Sequence, residues 1–152
     1  MAVNARNMTD DELFFGHKAC AGCGGSLAVR AALKVLGRNA VAALPAGCMS
    51  AVGFNFPQLS FANNAMITPF AATASVLSGI EAGLRAQGVK PDDCTVVGFA
   101  GDGGTADIGL QALSGAIDRN DDVLYICYDN EAYMNTGIQK SSLTPFGART
   151  TT

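Results

Sequence analysis

The stretch from Cys94 to Tyr128 constrains the fold most. Residues 94–100 (Cys-Thr-Val-Val-Gly-Phe-Ala) read as a buried parallel strand. A glycine-rich turn follows, Gly101-Asp102-Gly103-Gly104. Residues 105–118 carry Ile108, Leu110, Ala112, Leu113, Ala116 and Ile117 at helical spacing, and residues 122–128 read as a second buried strand. Strand, helix and strand make one βαβ unit, which forces a parallel sheet. Upstream, the spacing predicts a helix over 24–37 ending at Gly37, a short strand over 40–44 ending at Pro45, and a helix over 70–87 stopping at Gly88. The pattern predicts an α/β fold with a doubly wound parallel sheet. A length of 152 residues suits one core, so 1–152 is read as one domain.

Ligands of open α/β sheets sit outside the carboxyl ends of the strands, where this reading puts Asp102 and Asn130. Neighbouring strands lie roughly 5 Å apart, so the two side chains reach one ion between them. A carboxylate, an amide oxygen and a nearby backbone carbonyl are hard donors of the kind Mg²⁺ takes, often with phosphate oxygens. Glycines at 101, 103 and 104 let backbone N–H groups face a diphosphate, and the helix starting near Thr105 adds its positive end. Taken alone, Gly-Asp-Gly also fits a glycine turn with a helix-capping aspartate. Asn130, after 26 intervening residues (104–129), makes the pair resemble the thiamine-diphosphate motif. The turn does not spell the dinucleotide pattern Gly-x-Gly-x-x-Gly in frame.

Charged residues make up 15% of the chain and hydrophobic residues 49%, against about 25% charged in a typical soluble domain. So little charge points to large subunit interfaces. A net charge of −3 leaves no basic footprint for nucleic acid. No apolar run reaches the ~18 residues of a membrane helix, and the polar start, Met1 to Glu12, lacks the order of a signal peptide. A cytoplasmic protein is expected. The final stretch, Ser141 to Thr152, reads like an active-site loop cut in mid-course, so the full polypeptide is expected to be longer.

Five cysteines without a secretion signal argue against a disulfide framework. Cys20 and Cys23 form a Cys-x-x-Cys pair before the first helix, and Cys48 follows the first strand. Cys94 and Cys127 fall within the expected strands and read as inert core residues. The remaining three lack a fourth; structural zinc and an iron–sulfur cluster stand level on this count alone, beside three unrelated loop thiols. His17 lies close by; a lone histidine there more often makes a hydrogen bond than completes a metal site.

Together, Cys-Ala-Gly-Cys-Gly, then Cys48, then Gly-Asp-Gly-Gly-Thr-Ala-Asp-Ile-Gly, then Asp-Asn-Glu-Ala-Tyr-Met-Asn-Thr-Gly-Ile-Gln resemble the β subunit of 2-oxoacid:ferredoxin oxidoreductases, the pyruvate branch first. The resemblance runs from Phe15 onward. It implies that Cys20, Cys23 and Cys48 ligate a 4Fe–4S cluster whose fourth cysteine lies beyond Thr152. It implies Asp102, Asn130 and the Ala132 carbonyl as Mg²⁺ ligands. It places Gly25, Cys48, Gly101, Asp102, Gly103 and Gly104, with Asn130, Glu131, Ala132, Tyr133, Met134 and Asn135, around thiamine diphosphate, and Asn135 at its reacting end as the catalytic candidate. Some relatives carry a glutamate where this chain has Gly25, so that carboxylate is absent or supplied elsewhere.

The family's reaction decarboxylates a 2-oxoacid, passes electrons through the cluster to ferredoxin and transfers the acyl group to coenzyme A. Pyruvate is the first choice of substrate; oxalate, which needs no coenzyme A, belongs to the same range. Cofactor activation needs a glutamate, and Glu12, Glu81 and Glu131 are all poorly placed for it. That carboxylate is expected from a partner, among the α, γ and δ subunits of the same complex. Two other readings remain: a non-catalytic module stapled by zinc, and a non-redox thiamine-diphosphate enzyme with no use for the three cysteines.

Overall fold

The computed structural model describes residues 8–152, so most of the polar segment 1–12, at 1–7, lies outside the described residues. In chain order the elements are α1 (Gly24–Leu36), β1 (Ala40–Pro45), α2 (Cys48–Gly53), β2 (Phe54–Asn55), β3 (Gln58–Leu59), β4 (Asn64–Thr68), α3 (Thr73–Ala86), β5 (Thr95–Gly101), α4 (Leu110–Asp118) and β6 (Leu124–Tyr128). The main sheet has the order β4-β1-β5-β6 with every pair parallel; β2 and β3 make a small antiparallel hairpin.

Alternation along the strands decides which face each helix covers. Ala42 and Leu44 of β1 and Val97 and Phe99 of β5 point to one face, where Val29 and Leu33 of α1 close over them with Leu13 and Phe14. Ala43 and Val96 point to the other face and meet Leu77 of α3. Burying a side chain such as Leu33, Leu44 or Leu77 contributes about 1.5–3 kcal/mol. Helices on both faces confirm the doubly wound reading. The chain leaves β1 for β4 on one side, then crosses back through α3 to β5 on the other. The carboxyl ends of β1 and β5 therefore flank a topological switch point, where such sheets hold ligands.

Three expectations need correction. The segment 105–118 is not one helix: residues Gly103–Asp107 form a π turn, with Ile108 N–H bonded to the Gly103 carbonyl at 3.1 Å, and α4 begins only at Leu110. Gly109 permits this turn, since a Cβ there would stand 1.9 Å from the Gly104 carbonyl oxygen. The amino end facing the site is thus the π turn, not a regular α-helix. Second, residues 122–128 are not a fully buried strand. β6 is an edge of this sheet and only Tyr128 in it is buried. Third, Cys127 is accordingly exposed and Cys94 is half-buried, so neither is a core residue.

Candidate cofactor and metal site

Parallel pairing sets Gly101 of β5 beside Tyr128 of β6, so the chain leaves both strands at the same level. Asp102 and the loop 129–135 emerge there, facing Pro45 to Cys48 at the end of β1. Between them lies a shallow, open cleft lined by Cys48, Gly101, Asp102, Gly103, Gly104, Asn130, Ala132, Tyr133, Met134 and Asn135 among others. A larger hollow opens at the opposite edge, around Lys90, Cys94 and Asp122. It sits at the amino ends of β5 and β6, away from the switch point.

Three oxygens converge in the cleft. Asn130 Oδ1 stands 2.8 Å from Asp102 Oδ1 and 3.0 Å from the Ala132 carbonyl oxygen, with no donor between them. Turning the amide would let its nitrogen donate to both, so these oxygens want something positive at their centre. Mg²⁺ binds oxygens at 2.0–2.1 Å in an octahedron, which puts adjacent ligands about 2.9 Å apart. The observed separations are those of an octahedral edge. The donor set therefore fits Mg²⁺, and the ordered backbone of Gly103 and Gly104, both buried, fits the approach of a diphosphate. The Asn130 amide nitrogen points the other way, 3.8 Å from Cys48 Sγ.

The segment 141–152 was read as an active-site loop, but the residues in it that hold this cage were not singled out. Ser141, only 3% exposed, donates its hydroxyl proton to Asp102 Oδ2. Thr144 Oγ1 donates to the Glu131 carbonyl at 2.6 Å and accepts from Ser141 N–H at 2.9 Å. Ser142 donates through its backbone and side chain to Asp107, at the end of the π turn. Burial pushes the Asp107 carboxyl up, but the Ser142 hydrogen bonds, the Tyr133 hydroxyl and Lys140 outweigh it and hold it below the usual carboxylate range. Tyr133 packs over Gly103, edge-on to Phe70 with centroids 5.9 Å apart. Burial and then the Asp107 and Asp102 carboxylates push its hydroxyl up to about 12.

The cysteines are only partly assembled. Cys23 N–H bonds to the Cys20 carbonyl at 3.1 Å, so the pair shares one turn. Burial pushes the Cys48 thiol up; the Asn130 amide and the Asn135 backbone N–H pull it down, while Cys23 and Cys20 add to the rise. The three thiols are thus electrostatic neighbours and suit a cluster in kind. Among the described residues, however, no three His, Cys, Asp or Glu side chains close on one point. His17 stands outside the group: it stacks on Phe14 and accepts from Ala19 N–H at 3.3 Å. Gly25 does not line the cleft but packs behind it, against Met49 and Tyr128. Among the described residues no glutamate lines the cleft: Glu12 pairs with Lys34 and Arg30, Glu81 with Arg85, and Glu131 is exposed.

A doubly wound sheet with converging oxygens and a glycine turn at its carboxyl edge defines a class: α/β domains that take a ligand at the switch point of a parallel sheet. Residues 45–152 match the family described as thiamine pyrophosphate enzyme, C-terminal TPP binding domain. The chain belongs to that family. It is 56% identical over 137 residues to pyruvate synthase subunit PorB of Methanothermobacter thermautotrophicus, covering 90% of this chain and 47% of that one. It is 55% identical over 145 residues to ketoisovalerate oxidoreductase subunit VorB of Pyrococcus horikoshii, covering 93% and 47%. The chain thus spans about half the length of the curated relatives it matches. Its fold is shared with a solved 2-oxoglutarate:ferredoxin oxidoreductase from Magnetococcus marinus, at a TM-score of 0.61 and 22% identity over 90% of this chain and 43% of that one. No helix among the described residues is long and apolar enough to cross a membrane.

Proposed function

We propose that this chain forms the cofactor-holding half of a subunit that oxidatively decarboxylates a 2-oxoacid, pyruvate first, with electrons leaving through a 4Fe–4S cluster to ferredoxin and the acyl group going to coenzyme A. The observation that carries this is the three-oxygen cage of Asp102, Asn130 and Ala132. Thiamine diphosphate supplies the carbanion and the electron sink that decarboxylation requires. This chain's residues do the rest of the holding. Asp102, Asn130 and the Ala132 carbonyl bind Mg²⁺, which carries the diphosphate. Gly101, Gly103 and Gly104 offer backbone N–H groups to it. Tyr133, Met134 and Asn135 wall the cleft, and Asn135 is the candidate at the reacting end. Glu131 contributes its carbonyl to the turn that holds the cage.

Cys20, Cys23 and Cys48 supply three thiolates, with the fourth from the remainder of the subunit. Sharing one cluster would bring the Cys20–Cys23 turn in on Cys48. A glutamate to activate the cofactor comes from a partner subunit, since none faces the cleft here. The relatives' names favour pyruvate and ketoisovalerate, and the panel should include oxalate.

The test is reduction of ferredoxin or viologen by the purified complex, given each 2-oxoacid with and without coenzyme A. Reduction that needs thiamine diphosphate and Mg²⁺ is expected with pyruvate or a branched 2-oxoacid. Iron and sulfide analysis on the same preparation should find cluster iron. Failure with every substrate overturns the activity; absence of iron overturns the role given to the three cysteines.

A further inference from the structure

We propose that Ser141 is a positioning residue that commits Asp102 to one-oxygen coordination, and so sets the site's preference for Mg²⁺ over Ca²⁺. This rests on the reading of Asp102, Asn130 and Ala132 as ligands of one cation.

Both partners are buried, Asp102 at 1% exposure and Ser141 at 3%. A buried hydroxyl and a buried carboxylate each need a partner, and here they take one another. The direction of the bond is fixed. Ser141 Oγ accepts from Leu143 N–H at 3.2 Å. Thr144, the other hydroxyl nearby, directs its own proton to the Glu131 carbonyl. The Ser141 proton therefore goes to Asp102 Oδ2. That leaves Oδ1 alone to face Asn130 Oδ1 at 2.8 Å.

A carboxylate with one oxygen tied in this way meets a cation through the other. Mg²⁺ demands six oxygens at near-octahedral angles, one from each donor. Ca²⁺ takes six to eight at longer range and often uses both oxygens of a carboxylate. The turn that delivers Ser141 thus denies the larger ion its second oxygen. Nothing in the Gly-Asp-Gly turn could do this, because Gly101, Gly103 and Gly104 carry no side chain. The work is done from 39 residues downstream.

The experiment measures Mg²⁺ and Ca²⁺ affinities by calorimetry, on the assembled complex freed of metal and supplied with thiamine diphosphate. In Ser141→Ala, Mg²⁺ binding should weaken by about 10- to 100-fold, as for other residues that orient a metal ligand. Ca²⁺ binding should weaken far less, so the Mg²⁺/Ca²⁺ ratio collapses. Ser141→Thr keeps the hydroxyl and should keep the ratio. Thr144→Val loosens the turn without freeing Oδ2 and should move both ions alike. A Ser141→Ala ratio equal to that of the unaltered complex overturns the proposal, even if both affinities fall. Should Ser141→Ala fail to assemble, Ser141→Cys serves: it is nearly the same size with a feeble donor, and an unchanged ratio there is equally fatal. Failure of the unaltered complex to bind Mg²⁺ overturns the cation site itself, and is recognised because it precedes any substitution.

Discussion

A methyl group at position 103 would stand 2.4 Å from the Tyr133 ring. The ring has little room to move, since Phe70 meets it edge-on. Gly103→Ala is expected to displace Tyr133 from the cleft wall, cost about 1–3 kcal/mol as overpacking does, and weaken thiamine-diphosphate binding. Urea denaturation and cofactor titration check both, and a variant equal to the parent in each would refute the packing argument. Residues of this kind were legible because the motif itself spells them: Gly101 to Gly104, Asn130 and Ala132 sit at fixed offsets from strand ends. Ser141 and Thr144 were not. A serine in an irregular loop has no period and no spacing rule, and its partner, Asp102, is brought near only by the fold. Gly25 was read as touching the cofactor, but its neighbours Met49 and Tyr128 put it one layer behind.

At the scale of elements, α3 and the end of α4 are stapled on one face of the sheet. Ser78 of α3 donates to Asp121 Oδ2 at 2.6 Å, and Arg119 reaches the same oxygen at 2.8 Å. The Arg119 hydrogen bond, then that of Ser78, hold the Asp121 carboxyl below the usual carboxylate range. The sign follows from that depression. Folding keeps Asp121 ionised more firmly than the unfolded chain does, so its stabilisation is present above the ordinary carboxylate range and is lost as pH falls through the lowered value. Asp121→Asn should therefore be less stable than the parent at neutral pH, with the gap closing in acid; denaturation at a series of pH values checks this, and a gap that widens in acid would contradict it. The strands β1 and β5 and the helices α1 and α3 were legible because each is an apolar run or stripe bounded by glycine or proline. β4 was missed: Asn-Ala-Met-Ile-Thr is short, begins on a polar residue and pairs on one side only. α2 was missed because its six residues are too few to show a period. The π turn could not be read either, since apolar spacing does not separate an i→i+5 turn from the α-helix that follows it.

Across the whole molecule, large apolar side chains stand in water. Phe56, Leu59, Leu27, Ile117 and Phe146 are all more than half exposed. With charged residues at 15%, little on the surface offsets them. The chain purified without companions is expected to self-associate, and in the assembled complex amide exchange should slow at the β2–β3 hairpin and along α4. A dispersed monomer with the same exchange as in the complex would contradict this. Composition made that property legible, whereas the faces that carry it, the β2–β3 hairpin and α4 among them, follow only from the fold. The turn at 141–144 has one more consequence, in the order of synthesis. A ribosome releases the amino end first, so the four parallel strands are complete by Tyr128, before Ser141 has been made. The cage oxygens stay unclasped until Thr144 emerges, so tight ion capture follows the sheet in the order of synthesis. A chain stopped at Lys140 should show the far-ultraviolet signature of the full sheet, yet bind Mg²⁺ with thiamine diphosphate at least about tenfold more weakly. Equal affinity would mean that the cage closes without its clasp.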